Sequence, residues 1–225
     1  MIKLKLTWLL VAISWMVLAH TTNAQVRILP FGDSVTSSFT GHASYRYWLW
    51  HLLVDFGYNV DFVGTQWGVE GGSPSRTDFD QHHDGHSGWH ADDGMRNTES
   101  IVRATAPDVI LLDLGSNDVL QEEDNQSTIE ELRAIIQIAR SVRPRVVVLL
   151  GKPTPMNRKN KQLKKLNKMI GRLARQESTT QSPVYAVTLS RGFNPRKDTF
   201  DGEHPNEAGE QKIAKAWFAQ LVRLL

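Results

Sequence analysis

The feature that most constrains this chain is a set of five short, β-branched apolar runs, at 26–31, 60–63, 109–114, 146–150 and 184–187. Strands this uniformly apolar suit a parallel sheet covered on both faces, because neither face is left for water. Segments with helical spacing separate the runs. Positions 45–56 are apolar and aromatic. Positions 128–142 repeat apolar residues at helical spacing, with Ser127 or Thr128 as the expected cap and Glu130 and Glu131 in the first turn. Positions 161–175 place Leu163, Leu166, Ile170 and Leu173 on one stripe, and 205–225 starts with Pro205 and carries Glu207 and Glu210 early. Strands alternating with helices predict a doubly wound α/β fold. One long connection, 64–93, is rich in Gly, Ser, Asp and His; loops of that length in compact domains are functional or disordered.

The amino terminus has a different character. Lys3 and Lys5 precede an apolar run at 6–18, followed by small and polar residues through Ala24. That layout predicts a cleavable signal peptide at 1–24, since the run is short of the roughly 20 residues that span a bilayer. The mature chain, 25–225, is then expected to be one secreted or periplasmic domain with no stable membrane insertion. Lys3 and Lys5 are the only charges in the leader, so 24 basic and 24 acidic residues remain. A balanced chain has no global pull towards nucleic acid. The absence of cysteine excludes a lipoprotein anchor, a thiolate zinc site and a cysteine nucleophile.

In open α/β sheets, ligands bind beyond the carboxyl ends of the strands. Four polar segments fall at or near such ends: Gly32-Asp33-Ser34, Gly85-His86-Ser87-Gly88-Trp89, Gly115-Ser116-Asn117-Asp118 and Asp201-Gly202-Glu203-His204. Each offers a part that acyl transfer needs. A serine hydroxyl is a weak nucleophile until a base takes its proton, and Ser34 sits on a strand-to-helix turn. His204 supplies an imidazole, whose ordinary pKa of about 6.5 suits a base. Asp201, three residues earlier, is placed to orient that ring. The N–H groups of Ser34 and Gly88 and the amide of Asn117 are candidate oxyanion donors. Asp33 and Asp118 read as turn stabilisers. Asp113 is a carboxylate inside an apolar strand, which needs partners.

These segments, in this order, resemble the four sequence blocks of the SGNH (GDSL) hydrolase superfamily. The resemblance implies a flavodoxin-like three-layer α/β/α fold with a five-stranded parallel sheet, no cofactor, and a Ser34-His204-Asp201 triad. Tyr45-Arg46, 60–64 and Asp84-Gly85-His86-Ser87-Gly88-Trp89 further resemble carbohydrate esterase family 3, the acetyl xylan esterases, which usually carry Glu at the position of Asp84. An acetylated oligo- or polysaccharide is therefore the expected substrate, with His86, Trp89 and Arg46 as candidate contacts. A lipid-directed esterase, thioesterase or lysophospholipase is the alternative, and a non-catalytic carbohydrate-binding protein the third reading. The cluster His82, His83, Asp84, His86 lacks the H-E-x-x-H spacing of a catalytic zinc site and reads as loop, so no metal is expected. The eight basic residues of 158–175, without an acidic one, read as the solvated side of an amphipathic helix.

Overall fold

The computed structural model describes residues 24–225; the leader expected at 1–24 lies, but for Ala24, outside them. The chain runs β1 (Val26–Gly32), α1 (Ser34–Ser37), α2 (Ser44–Asp55), β2 (Val60–Phe62), β3 (Gln66–Trp67), β4 (His82–Gly85), α3 (Ala91–Thr105), β5 (Val109–Asp113), α4 (Ser116–Leu120), α5 (Asn125–Val142), β6 (Val147–Lys152), α6 (Asn160–Glu177), β7 (Val184–Thr188), α7 (Pro195–Asp198) and α8 (Glu207–Leu221). Among the described residues no helix is long and apolar enough to cross a membrane.

The five expected strands form the parallel order β2-β1-β5-β6-β7. That is the doubly wound, flavodoxin-like order, with the reversal between β1 and β5. Successive side chains on a strand point to opposite faces, and each face meets its own helices. Leu29, Phe31, Ile110, Leu112, Val148 and Leu150 pack with α3, α5 and α6. Ile28, Val109, Leu111, Leu149 and Val187 pack with α2 and α8, around the fully buried Trp217.

The sheet has seven strands rather than five, because part of the expected long loop is sheet. β2 pairs with the first half of β1, and β4 pairs in parallel with its last two residues, so the two occupy successive stretches of one edge. The chain leaves that edge after Phe62, adds β3 antiparallel to β4, and returns. At the crossing Gly64 lies against the His83 backbone, where a Cβ would sit 2.2 Å from the carbonyl. Only glycine fits there.

Three helices depart from expectation. α8 begins at Glu207 with Asn206 as its N-cap, so Pro205 lies outside it. α5 starts three residues early, with Asp124 at its N-cap position but no side-chain cap, so Ser127 and Thr128 lie inside it and Glu130 and Glu131 lie beyond its first turn. Thr128 Oγ1 donates back to Asp124 O instead of capping. α3 was not legible at all. Its buried face is Gly94, Thr98, Ile101, Val102 and Thr105, and two of those hydroxyls donate to carbonyls four residues back.

Candidate active site

The nucleophile turn is built from β1. Its last residue, Gly32, lies against Asp113 O and the Thr36 hydroxyl, each 2.5 Å from a hypothetical Cβ, so the chain turns where no side chain fits. Asp33 then caps α1, its Oδ1 accepting the Val35 N–H at 2.9 Å. Ser34 follows as the first helical residue, 8% exposed. Its Oγ lies 3.0 Å from His204 Nε2. His204 Nδ1 lies 2.6 Å from Asp201 Oδ2, and Asp201 Oδ1 accepts the backbone N–H groups of Glu203 and His204. Burial pushes Asp201 up, but the bond to the imidazole and those two N–H groups outweigh it, leaving the carboxyl below its usual range. Asp201, His204 and Ser34 thus form one hydrogen-bonded chain with the carboxylate at its outer end.

The histidine loop hangs between two anchors. Thr199 and Pro205 form a short bridge, and Thr199 Oγ1 accepts the Gly202 N–H at 2.9 Å. Asn157 N donates to Gly202 O at 2.8 Å. Gly202 has φ +95°, and a Cβ there would overlap the Asn157 amide at 2.3 Å. Downstream, the Asn206 side chain caps α8 by accepting the Gly209 N–H. Phe39 meets the His204 ring edge-on at 4.8 Å, and Phe200 stacks on it at 5.8 Å. Neither aromatic was singled out from the sequence, although Phe200 adjoins Asp201.

The segment carrying Gly88 is pinned between the nucleophile turn and α4. His86 N donates to Gly32 O, Ser87 Oγ lies 3.2 Å from Ser37 Oγ, and Asn117 Nδ2 donates to Trp89 O at 2.8 Å. One amide hydrogen of Asn117 is therefore engaged in holding the loop, and the other remains for a ligand. Gly88 is exposed at φ +79°. Asn117 is set by Gly115, whose φ of +111° starts α4 in a conformation that glycine tolerates.

Arg46 requires a correction. Expected to touch substrate, it is 0% exposed. Its guanidinium donates to Thr36 O at 2.9 Å, Ser37 O at 3.1 Å, Gly68 O at 2.5 Å and Gln81 O at 2.7 Å. Burial lowers it to about 10, still charged at neutral pH. It ties α1 to the excursion between β2 and β4, and no face is left for substrate. His86 and Trp89 stack on each other at 3.7 Å, with the Trp89 ring also meeting Phe31 edge-on. Both are partly exposed.

In the His82–His86 cluster only His86 and Asp84 meet, at 3.4 Å, and no three of its members share a point. His82 pairs with Asp80, His83 is held neutral by burial and accepts the Gly85 N–H, and Asp84 accepts from Thr65 N and Oγ1. Elsewhere, His90, Asp118 and Glu123 bring ligand atoms within 4.8 Å of one another, a spacing a cation could use. Each has a protein partner: His90 Nδ1 pairs with Glu123 at 2.6 Å, and Asp118 accepts the Ala91 N–H.

Beneath the serine lies a pair of buried carboxyls. The β1–β5 register sets Asp113 beside Gly32. Burial pushes Asp33 up to about 7, and burial together with the Asp33 charge holds Asp113 well above the carboxylate range. Asp113 Oδ1 has no hydrogen-bond partner. A protonated Asp113 avoids placing two negative charges there. On the outer side, a cavity of about 10 Å³ opens between Ser34, Phe39, Tyr45, Phe200, His204 and Glu210.

Comparison with known proteins places this geometry in a family. Two solved structures match at TM-score 0.80 over 89% of this chain and 98% of theirs: an acetyl esterase mutant with an acetate ion, 31% identical, and a carbohydrate esterase family 3 protein from Talaromyces cellulolyticus, 32% identical. A family 3 carbohydrate esterase from Clostridium thermocellum matches at 0.77, 31% identical, over the same shares. A multidomain esterase from Ruminococcus flavefaciens is 29% identical over 87% of this chain, which spans 28% of that protein's length. Residues 31–212 match the model of the GDSL-like lipase/acylhydrolase family, and the chain belongs to that family as an esterase similar to family 3 carbohydrate esterases.

Proposed function

We propose that the chain is an exported serine esterase that removes acetyl groups from carbohydrate. The observation that carries this reading is the hydrogen-bonded chain from Asp201 through His204 to Ser34 Oγ. Ser34 Oγ attacks the ester carbonyl carbon while His204 Nε2 takes its proton. The negative oxygen of the tetrahedral intermediate accepts from the N–H groups of Ser34 and Gly88 and from the second amide hydrogen of Asn117. The intermediate collapses, and His204 returns the proton to the departing sugar hydroxyl. Water, deprotonated by the same ring, then cleaves the acetyl-serine ester and restores Ser34. Asp201 holds the ring with its proton on Nδ1 and stabilises the imidazolium.

Two observations favour a small acyl group on a sugar. The cavity beside Ser34 is only about 10 Å³, the lower limit for a single water-sized group, which leaves no room for a long acyl chain there. The matched structures at 31–32% identity include an acetyl esterase and family 3 carbohydrate esterases. In this reading His86 and Trp89, both partly exposed, meet the sugar. Ser34→Ala is expected to abolish acetate release from acetylated xylan; wild-type release by that variant would sink the assignment. A chain-length series of p-nitrophenyl esters separates this reading from a lipid-directed esterase, because preference for octanoate over acetate reverses it.

A further inference from the structure

The balanced net charge hides a strong separation. Residues 24–142 carry seven Lys and Arg against 18 Asp and Glu; residues 143–225 carry 17 against six. The first half builds β1 to β5 with α1 to α5, and the second builds β6, β7 and α6 to α8. One end of the sheet is therefore acidic and the other basic, with the serine from the first half meeting the histidine from the second.

The basic charge is most ordered on α6. Lys161, Lys164, Lys165, Lys168, Arg172 and Arg175 are all exposed. At 100° per residue they fall within an arc of about 100°, opposite the buried Leu163, Leu166, Ile170 and Leu173, in a straight row of about 21 Å. Among the described residues none of the six has an ion pair or side-chain hydrogen bond. The one carboxylate of the helix, Glu177, is taken by Arg133 and Arg140 of α5. Like charges at i,i+3 and i,i+4 weaken a helix, and this row contains such pairs along its whole length. α3 shows the ordinary arrangement: Arg96 pairs with Asp92 and Asp93, and Arg103 with Glu99. The row also begins at the catalytic rim. Just before α6, Asn157 N binds Gly202 O and Arg158 pairs with Glu203 at 3.5 Å, both in the loop that bears His204.

From the carbohydrate reading of the active site, on which this step rests, we propose that α6 is a docking track for a polysaccharide bearing carboxylate groups, such as a polyuronate. The bound chain leaves the serine on the α6 side, its carboxylates facing the row of six cations. Beside the row lies a groove of about 450 Å³, in which Asn160, Asn167 and Asn194 already hold backbone groups while Lys164 and Ser190 are left for sugar hydroxyls. The row has no aromatic side chain on which nucleic-acid bases would stack. It has no apolar residue between its cations to enter a bilayer. A single file of charges fits one extended chain.

The test uses the full chain with Ser34→Ala, so that nothing is hydrolysed, and measures binding to polygalacturonate. Binding is expected at 50 mM salt and should weaken about tenfold or more by 200 mM. Neutral xylan should bind without that salt dependence. The triple variant Lys164→Glu, Lys165→Glu, Lys168→Glu is expected to lose polygalacturonate binding about tenfold or more, with circular dichroism and thermal midpoint at least equal to the parent's, since the reversals turn three like-charge pairs (161 with 164 and 165, 168 with 172) into opposite-charge pairs and leave the number of like-charge pairs no higher. Equal binding by parent and triple variant overturns the proposal. Tighter binding of single-stranded DNA or phosphatidylserine vesicles than of polygalacturonate overturns it as well. Hydrolysis of p-nitrophenyl acetate by the wild-type chain is read separately. If the ester is cleaved but polygalacturonate is not bound, the track fails and the esterase stands; if polygalacturonate is bound but no ester is cleaved, the esterase fails.

Discussion

The two halves of the catalytic pair are held in opposite ways. Ser34 stands on a turn that is part of the core. Asp33 and Asp113 are buried below it, Arg46 gathers four backbone carbonyls behind it, and β1 runs through the middle of the sheet. His204 stands on a surface loop in which Asp201 is exposed and the restraints are mostly hydrogen bonds within 199–206, with one backbone tie outside it, from Asn157 N to Gly202 O. The proposed nucleophile and oxyanion donors share the rigid side, where small displacements would cost most. The base is set by the local turn that also sets its carboxylate. Damage on the first side should therefore appear as lost stability, and damage on the second as lost rate in a stable protein.

The strongest way to break this contrast is Arg46→Met. It leaves four buried carbonyls without their donor, and a buried unsatisfied group costs about 1–3 kcal/mol. A loss of about 4 kcal/mol or more in urea unfolding is expected; a loss under 1 kcal/mol would show that the rigid side does not depend on this clamp. Asp201→Asn comes next. It should lower kcat/KM by about 10²–10³-fold, equivalent to about 3–4 kcal/mol of transition-state stabilisation. Its unfolding midpoint should stay near that of the wild type, and a destabilisation matching Arg46→Met would erase the difference between the two sides.

A smaller effect sharpens the contrast at the place where the sides meet. Glu210 of α8 lines the cavity beside Ser34 and His204, and accepts from Ser44 N and Trp48 Nε1 of α2. Burial pushes its carboxyl from 4.5 up to about 7. The folded state therefore holds the proton more tightly than the unfolded chain does. The stability this contributes is fully present below pH 4.5 and is lost as pH rises through about 7. Relative to Glu210→Gln, the wild type should lose up to about 3 kcal/mol across that window. Parallel stability profiles for the two proteins would show that Glu210 is not titrating there.

The sequence made the frame legible where chemistry repeats with the period of an element. The five parallel strands are β-branched runs, and the side chains proposed for catalysis sit in polar segments at or near strand ends. α3 escaped because its buried face uses Gly94, Thr98 and Thr105, whose small or self-satisfied side chains do not register as apolar. β4 escaped because His82-His83-Asp84-Gly85 joins the sheet through its backbone pairing with Phe31 and Gly32, not through an apolar face. The partners of Arg46 were hidden for a related reason. Its partners are carbonyls from four separate positions, and a carbonyl has the same chemistry whichever residue bears it. The charge separation was invisible in the net total, because it appears only when the sheet order assigns each half of the chain to one end.

The Arg46 clamp has a consequence for where such a protein can be made. It joins positions 36, 37, 68 and 81, a long-range tie of the kind that small exported proteins often make with disulfides. This chain contains no cysteine, and a guanidinium is neither oxidised nor reduced by the thiol buffers of a cell. The tie forms from the chain's own donors and acceptors, without an oxidase or an isomerase. The described fold is therefore indifferent to redox potential, and should assemble equally in a reducing cytosol and in an oxidising compartment.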